Sequence, residues 1–500
     1  MELQFEKTDC RFLQKLVSEV ISQEETQEVR LPDAMPDAGR ILAAWGQIML
    51  RGKEWRSSAM IVSGGVMVWV LYAPEDGSEP RRLDSWIPFQ TKWEIPQTER
   101  DGFIRVQPLL RSVDARCLSA RKLMLRANME LLGEALVEQT APVYHPGQVP
   151  EGVELLRESY LLELPREAGE KTFTMDEELN LPGNAPALQR LIRYEMQPRI
   201  TEQKVVGDKA LFRGAGNLHI LYMGEDSRLH GWDFEVPFSQ YADLEREYDR
   251  EASLQTLPVT TNLELDLGEE GLLHVKCGLL GQYMVSEQEP MELVQDAYSV
   301  RADVQMQTAP LELPVYLDRR GETIPVRQTM HTDGKEPADL VFYSGFPRIA
   351  GTEQNTVLTV PGMFQCLWYN EDGTLQSAAA RAETEVPFPV GEDCTVRAMV
   401  GFAGKPQAAL SGADTQTHGD VMLNTVTEGC GRMNMVTGLM IGEERAQDPE
   451  RPSLIVRRIG EEQSLWELAK GCGSTVEAIR KLNHCTEEPA ANQMLLIPVP

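Results

Sequence analysis

The sequence predicts a mainly β chain, with three tandem β-rich repeats followed by a small βααβ module at the C-terminus. The first observation behind this is internal periodicity. Leu31-Pro32, followed by Pro36, returns 150 residues later as Leu181-Pro182, followed by Pro186. An apolar run ending in an aromatic and leading to an acidic turn comes next in three copies: Val66 to Tyr72 before Glu75-Asp76, Asn217 to Tyr222 before Glu225-Asp226, and Met363 to Trp368 before Glu371-Asp372. Pro88-Phe89, Pro237-Phe238 and Pro387-Phe388 follow, spaced by 149 and 150 residues. The second observation is that the runs between landmarks are short and rich in β-branched and aromatic residues, with Asp-Gly turns at Asp76-Gly77 and Asp372-Gly373. The third is a change of pattern after Pro452, where capping motifs and helical spacing replace the alternation.

Taken in order, the first repeat spans 1–155 and opens with Phe12, Leu13, Leu16, Val17, Val20 and Ile21, whose spacing predicts one face of an N-terminal helix. Ser57 to Pro74 is the longest uncharged stretch and reads as strand–turn–strand around Gly64-Gly65. The second repeat, 156–310, predicts a short helix from Ala187 to Ile192 after Pro186. It ends in a hairpin, with Leu263, Leu265 and Leu267 alternating with polar residues and Leu272 to Val275 resuming after Gly271. The third repeat covers 311–446. The proline of each Pro-Phe pair marks a strand start or an edge, because proline cannot donate to a ladder. Units this long are too large for a solenoid repeat and predict beads or packed domains.

Composition narrows the function. The 42% hydrophobic content, 39 Gly and 31 Pro fit turn-rich globular domains. A formal net charge of −29 opposes a general nucleic-acid role, since the phosphate backbone would be repelled. From Pro452 onward there are five basic and six acidic residues, net −1, so the acidity belongs to the body, at about −28. No basic n-region precedes an apolar run at Met1 to Lys7, no stretch has the length of a transmembrane helix, and the eight cysteines form no CxxC pair. The expectation is a protein of a reducing cytoplasm with no transmembrane segment.

Residues 447–500 comprise a polar, proline-ended linker and a compact module. Leu454-Ile455-Val456 predicts a strand, and Ser464 with Glu467 forms a capping box before Leu465, Leu468 and Ala469. Gly471 and Gly473 end that helix. Ser474 with Glu477 predicts a second capping box, Val476, Ile479 and Leu482 a second apolar face, Asn483 a left-handed C-cap, and Met494 to Pro498 the return strand.

That order, with Ser-Leu-Trp, Leu-Ala, Leu-Asn and Leu-x-Ile-Pro, resembles the LysM family over about a tenth of the chain. The resemblance implies a βααβ fold that binds N-acetylglucosamine-containing glycans or, in some spore proteins, another protein. Two loops depart from the family pattern. Glu462-Gln463 stand where Gly-Asp or Gly-Glu usually precedes the Ser, and Asn492 stands where Gly usually precedes the last strand. Leu31 to Asp37, Trp69 to Tyr72 and Asp233 to Phe238 resemble the SPOCS domains of endospore formers. SPOCS domains with a C-terminal LysM imply a coat-morphogenesis adaptor in the mother-cell cytoplasm, at the forespore surface. Its LysM would dock on the spore coat morphogenetic ATPase. The residues expected to carry binding are Glu461, Glu462, Gln463, Ser464, Leu465, Trp466, Asn483 and Asn492. The alternative is peptidoglycan or spore-cortex glycan binding through the same loops.

No P-loop, HExxH or GxSxG motif occurs, and Gly214-Ala215-Gly216 opens a strand without a third glycine. His484-Cys485 with Cys472 lacks a fourth metal ligand. His219 and His274 read as sheet-face residues, and the Glu-Asp pairs as hairpin tips. The expectation is an adaptor that is not an enzyme and uses no cofactor or metal. A wall hydrolase with a LysM tag would need a secretion signal and a catalytic constellation, and neither is visible.

Overall fold

The computed structural model describes residues 2–98, 101–268, 271–352, 355–389, 394–445, 452–460, 463–485, 489–490, 492 and 493–499. Among the described residues the chain is mainly β, with two short helices near the C-terminus. The first lobe contains β1 (Glu2–Leu3), β2 (Phe5–Arg30), β3 (Ala38–Arg56), β4 (Ala59–Pro74), β5 (Arg81–Glu94), β6 (Phe103–Ser119) and β7 (Lys122–Pro146). Two antiparallel sheets result, ordered β2-β7-β6 and β3-β4-β5. The second lobe has β8 (Val153–Asn180), β9 (Leu188–Gly224), β10 (Leu229–Tyr248), β11 (Ser253–Leu267) and β12 (Leu272–Ser299), paired as β11-β12-β8 and β10-β9. The third has β13 (Ala302–His331), β14 (Pro337–Ser344), β15 (Arg348–Thr352), β16 (Asn355–Tyr369), β17 (Leu375–Pro387), β18 (Cys394–Phe402), β19 (Gln407–Ser411) and β20 (Asp414–Glu444). Here β20 pairs with β13, β18 and β19, while β16 pairs with β14, β15 and β17.

In each lobe the first long strand pairs with the last, and the middle strands make the second sheet. The landmarks fall at matching places. Glu75-Asp76, Glu225-Asp226 and Glu371-Asp372 sit at the hairpin tips, as expected from turn chemistry. The Asp76 and Asp226 carboxylates accept from the backbone N–H of Ser78 and Arg228, at 2.9 and 3.1 Å. The two Leu-Pro turns are built alike. Met35 N–H donates to the Pro32 carbonyl and Ala185 N–H to Pro182, while the Tyr72 and Tyr222 hydroxyls reach the Pro36 and Pro186 carbonyls at 3.0 and 3.1 Å. Pro88, Pro237 and Pro387 all lie on edge strands.

Three sequence expectations are corrected. Phe12 to Ile21 lie in β2, which pairs along β7 from Phe5 to Arg30. Phe12 and Leu13 are both buried because the strand is covered on both faces, and a bulge between Lys15 and Val17 resets the alternation. Burial on two faces plus one bulge imitates a helical period. Ala187 to Ile192 is no helix either: Leu188 starts β9, and Ile192, Tyr194 and Met196 point inward at period two. Gly64-Gly65 sits inside β4 and makes no turn. A Cβ on Gly65 would lie 2.2 Å from the Trp86 ring, so these glycines serve close packing. The turn that the sequence hid lies inside β9, where Thr201 reaches the Arg213 carbonyl and Asn217 reaches Gln197. These contacts straddle Gly207, whose φ of 61° is left-handed.

The lobes are packed, and they close a ring. The Gln47 side-chain oxygen accepts from Met196 N–H at 2.9 Å, Arg193 grips Asp339 through two bonds at 2.8 and 3.0 Å, and the Tyr343 hydroxyl accepts from Gly46 N–H at 3.3 Å. These link lobe one to two, two to three, and three to one. A cavity of about 450 Å³ lies at the junction, lined by residues of all three lobes, among them Gln47, Gln107, Thr256 and Tyr343. The paired long strands extend beyond the ring and meet in a second apolar core of Phe12, Val143, Leu164, Leu293, Leu313 and Met435. At the far end β1 pairs with β20, so the N-terminus is clasped by the third lobe.

Candidate docking site in the C-terminal module

The C-terminal module runs β21 (Leu454–Arg458), α1 (Leu465–Cys472), α2 (Val476–Asn483) and β22 (Met494–Pro498), with β21 and β22 antiparallel. The first capping box forms as the sequence predicts. Glu467 N–H donates to Ser464 Oγ at 3.1 Å, and Ser464 N–H donates to the Glu467 carboxylate at 3.2 Å. The second cap shifts by one residue: Thr475 Oγ1 accepts from Ala478 N–H at 3.1 Å, and Ser474 instead donates from its buried hydroxyl to the Pro498 carbonyl. The reason is space, since Ser474 is pressed against the end of β22 and only Thr475 is free to turn back over the helix.

The predicted site residues differ in what they do. Glu461 and Glu462 lie outside the described residues. Leu465 is fully buried with Leu468, Ala469, Ile479, Leu495 and Ile497, so its role is packing. The loops hold Gln463, whose side-chain oxygen accepts from Gly460 N–H at 3.4 Å, and Asn492, exposed with φ of 68°. Asn492 thus adopts the left-handed geometry that its small polar side chain tolerates. Asn483 does not cap α2, because the left-handed residue is His484. The Asn483 amide donates to the Leu496 carbonyl at 2.6 Å and accepts from Leu496 N–H at 2.8 Å, clipping α2 to β22. Leu482, expected on the apolar face, is exposed.

Trp466 is where the structure adds most. Its indole N–H donates to Asp296 at 2.7 Å, and its ring meets Tyr298 edge-on at 4.8 Å. Lys470, one helical turn later, reaches both Asp296 oxygens at 2.7 and 2.8 Å. The Tyr298 hydroxyl donates to the Ser474 carbonyl at 2.8 Å, and Tyr298 and Val300 complete the core of the module. Helix α1 is therefore seated on the end of β12. Burial works to raise the Asp296 carboxyl, but the bonds from Lys470 and Trp466 outweigh it and hold the group below its usual range. Tyr298 is pushed well up by burial and by the charges of Glu154 and Asp296, so it stays a neutral donor. Nothing in the sequence placed Asp296 and Tyr298 beside Trp466, since 170 residues separate Trp466 from Asp296.

Two charge clusters elsewhere were also invisible in the sequence. Glu134 is buried against Arg397, with Arg105 at 3.6 Å and Lys15 at 3.7 Å, and Arg397 continues to Glu428 at 3.3 Å. Burial acts to raise the Glu134 carboxyl, yet Arg397, Lys15 and Arg105 overcome it and lower the pKa to about 2. The second cluster joins lobes two and three, where His219 contacts Asp233 at 2.7 Å and Asp339 at 3.6 Å, beside Arg193. Burial and Arg193 oppose protonation of His219, but Asp233 and Asp339 prevail and raise it to about 9. Sheet-face placement of His219 was predicted; its role as an inter-lobe cation was not. Among the described residues, no group of three or more His, Cys, Asp or Glu is arranged to hold a metal ion. Among them, also, no helix is long and apolar enough to cross a membrane.

Residues 188–265 match the family model described as SipL, SPOCS domain. The match covers β9, β10 and nearly all of β11, and includes Asp233 to Phe238. Over that segment the chain is similar to the SPOCS domain of SipL. No curated protein matches it.

Proposed function

We propose that this protein is a non-enzymatic adaptor of spore coat assembly. Its body comprises three SPOCS-like repeats, and its LysM-like tail docks on a morphogenetic protein partner, the coat ATPase, in the mother-cell cytoplasm. The observation that carries the reading is a SPOCS match in the middle lobe joined to a βααβ module seated on that same lobe. The closed ring supports a scaffold role, because three lobes locked edge to edge hold the tail in a fixed direction. Trp466 is the sole aromatic from Pro452 onward, and it is turned onto Tyr298 and Asp296. A sugar ring stacks best on an exposed aromatic face, so this arrangement favours a protein partner over glycan. The test is a pull-down from sporulating-cell lysate with the full chain and with a chain lacking 452–500. Retention of the coat ATPase by the full chain alone is the expected result. Sedimentation of the full chain with purified peptidoglycan, reversed by N-acetylglucosamine oligomers, would favour the glycan reading instead.

A further inference from the structure

We infer that the outward face of the β21–β22 sheet is a protein-docking surface, and that its occupant is a short partner segment with apolar side chains at its centre and a carboxylate opposite Arg458. The inference rests on the adaptor reading and names the surface that reading would use. In the ladder, Leu454 lies opposite Pro498, Val456 opposite Leu496, and Arg458 opposite Met494. Because side chains alternate, these six share one face, and Ile455, Leu495 and Ile497 fill the core on the other. Val456 is 53% exposed and Met494 60%, with Leu454 at 47% and Leu496 at 39%. Such a contiguous apolar row on a five-residue ribbon is unlike scattered surface leucines, and apolar patches rimmed by polar groups mark interaction sites. Methionine in particular adapts to varied partners.

Two other sides of the module are already used. Its α1 flank is sealed on Asp296 and Tyr298, and the outer edge of β22 is closed at Leu496 by Asn483. The sheet face is open and carries four of the module's exposed apolar side chains, Leu454, Val456, Met494 and Leu496. Arg458 is exposed on that face, and among the described residues no carboxylate pairs with it. A second copy does not fit. Two five-residue strands cover roughly 16 by 10 Å, far below the ~800 Å² per partner of a stable dimer. A self-complementary contact would also set the Arg458 rows against each other. A glycan does not fit either, since the row of Leu454, Val456, Arg458, Met494, Leu496 and Pro498 holds no aromatic ring. A short acidic-flanked apolar segment satisfies both the small area and the cation.

The test uses the full-length chain and two labelled synthetic peptides, one a short leucine-rich segment flanked by Glu, the other the same segment flanked by Lys, read by fluorescence anisotropy. The Glu-flanked peptide should bind at least about tenfold more tightly. Val456→Glu with Leu496→Glu should remove at least about tenfold of that affinity. Arg458→Glu should reverse the charge preference, and Leu161→Glu, on an exposed leucine of β8, should change nothing. Both Glu positions are on the solvent face, so an unchanged melting profile is expected and separates docking from folding. Equal binding of the two peptides, or wild-type affinity in the double variant, overturns the inference. So does a wild-type dimer in light scattering that Val456→Glu dissolves, or displacement of the peptide by chitin oligomers. Capture of the coat ATPase by the chain lacking 452–500 would remove the adaptor reading alone, whereas unchanged peptide affinity in the double variant removes this docking face alone.

Discussion

The seams between the lobes and the seam between the body and the tail are built from the same kinds of groups but at different depths. At the lobe junctions, Glu134, Arg397, Arg105, Arg193 and Asp339 are almost wholly removed from water. At the tail seam, Asp296 and Lys470 keep 23% and 40% of their side-chain surface in solvent. A buried ion has no alternative partner once its own is lost, so a junction of this kind tolerates no partial state. A half-exposed pair exchanges protein contacts for water at little cost. The body is therefore a ring tied by buried ion pairs, while the tail is seated on it by a half-exposed ion pair beside the buried Tyr298 and Val300.

The largest expected effect comes from breaking the deep seam. Glu134→Ala leaves buried Arg105 without a carboxylate and Arg397 with Glu428 alone, and should destabilise the ring by ~3–5 kcal/mol, read as a lower midpoint in denaturant melts of the full chain. A shift no larger than that of an exposed Glu→Ala change would show that water reaches the cluster. The next effect is local to the tail. Leu465→Ala removes a fully buried side chain and should cost ~2–5 kcal/mol, enough to unfold so small a module. Rapid proteolysis within 452–500 with an intact body is expected; simultaneous loss of body structure would mean that the two seams are one cooperative unit.

Two titrations sharpen the comparison at the junctions. His219 is raised from 6.5 to about 9 in the fold. Its contribution is complete below pH 6.5 and disappears as pH rises through 9, so stability should decline across that window and decline less in His219→Gln. Glu134 is lowered to about 2 from 4.5. Its contribution is complete above pH 4.5 and disappears as pH falls towards 2, so acid melts should show a loss that Glu134→Gln lacks. A pH profile identical in each variant and the parent would remove these groups from the junction energetics. The smallest effect belongs to the shallow seam. Asp296→Ala should cost about 0.5–1.5 kcal/mol, read as faster hydrogen exchange of the α1 amides with no change in the body. Unchanged exchange would leave Tyr298 and Val300 as the whole of the seat.

The sequence by itself determined what depends on neighbours along the chain: the period of the landmarks, the Asp-Gly tips, the Ser464–Glu467 capping box and the βααβ order. Each of these is a local match between residue type and backbone geometry. The left-handed cap that the sequence predicted at Asn483 fell instead on His484, while Asn492 took up left-handed geometry at a position where Gly is usual. Only the tertiary structure decided where strands are buried on both faces, which is why Phe12 to Ile21 imitated a helix and Gly64-Gly65 imitated a turn. It decided the cap on α2 as well, since Ser474 is claimed by β22 and Asn483 by Leu496. The charge clusters and the Trp466–Asp296–Tyr298 seat join groups more than a hundred residues apart. No local pattern encodes such a pairing, because the stabilisation of a buried ion or a docked indole exists only once the lobes have closed and excluded water.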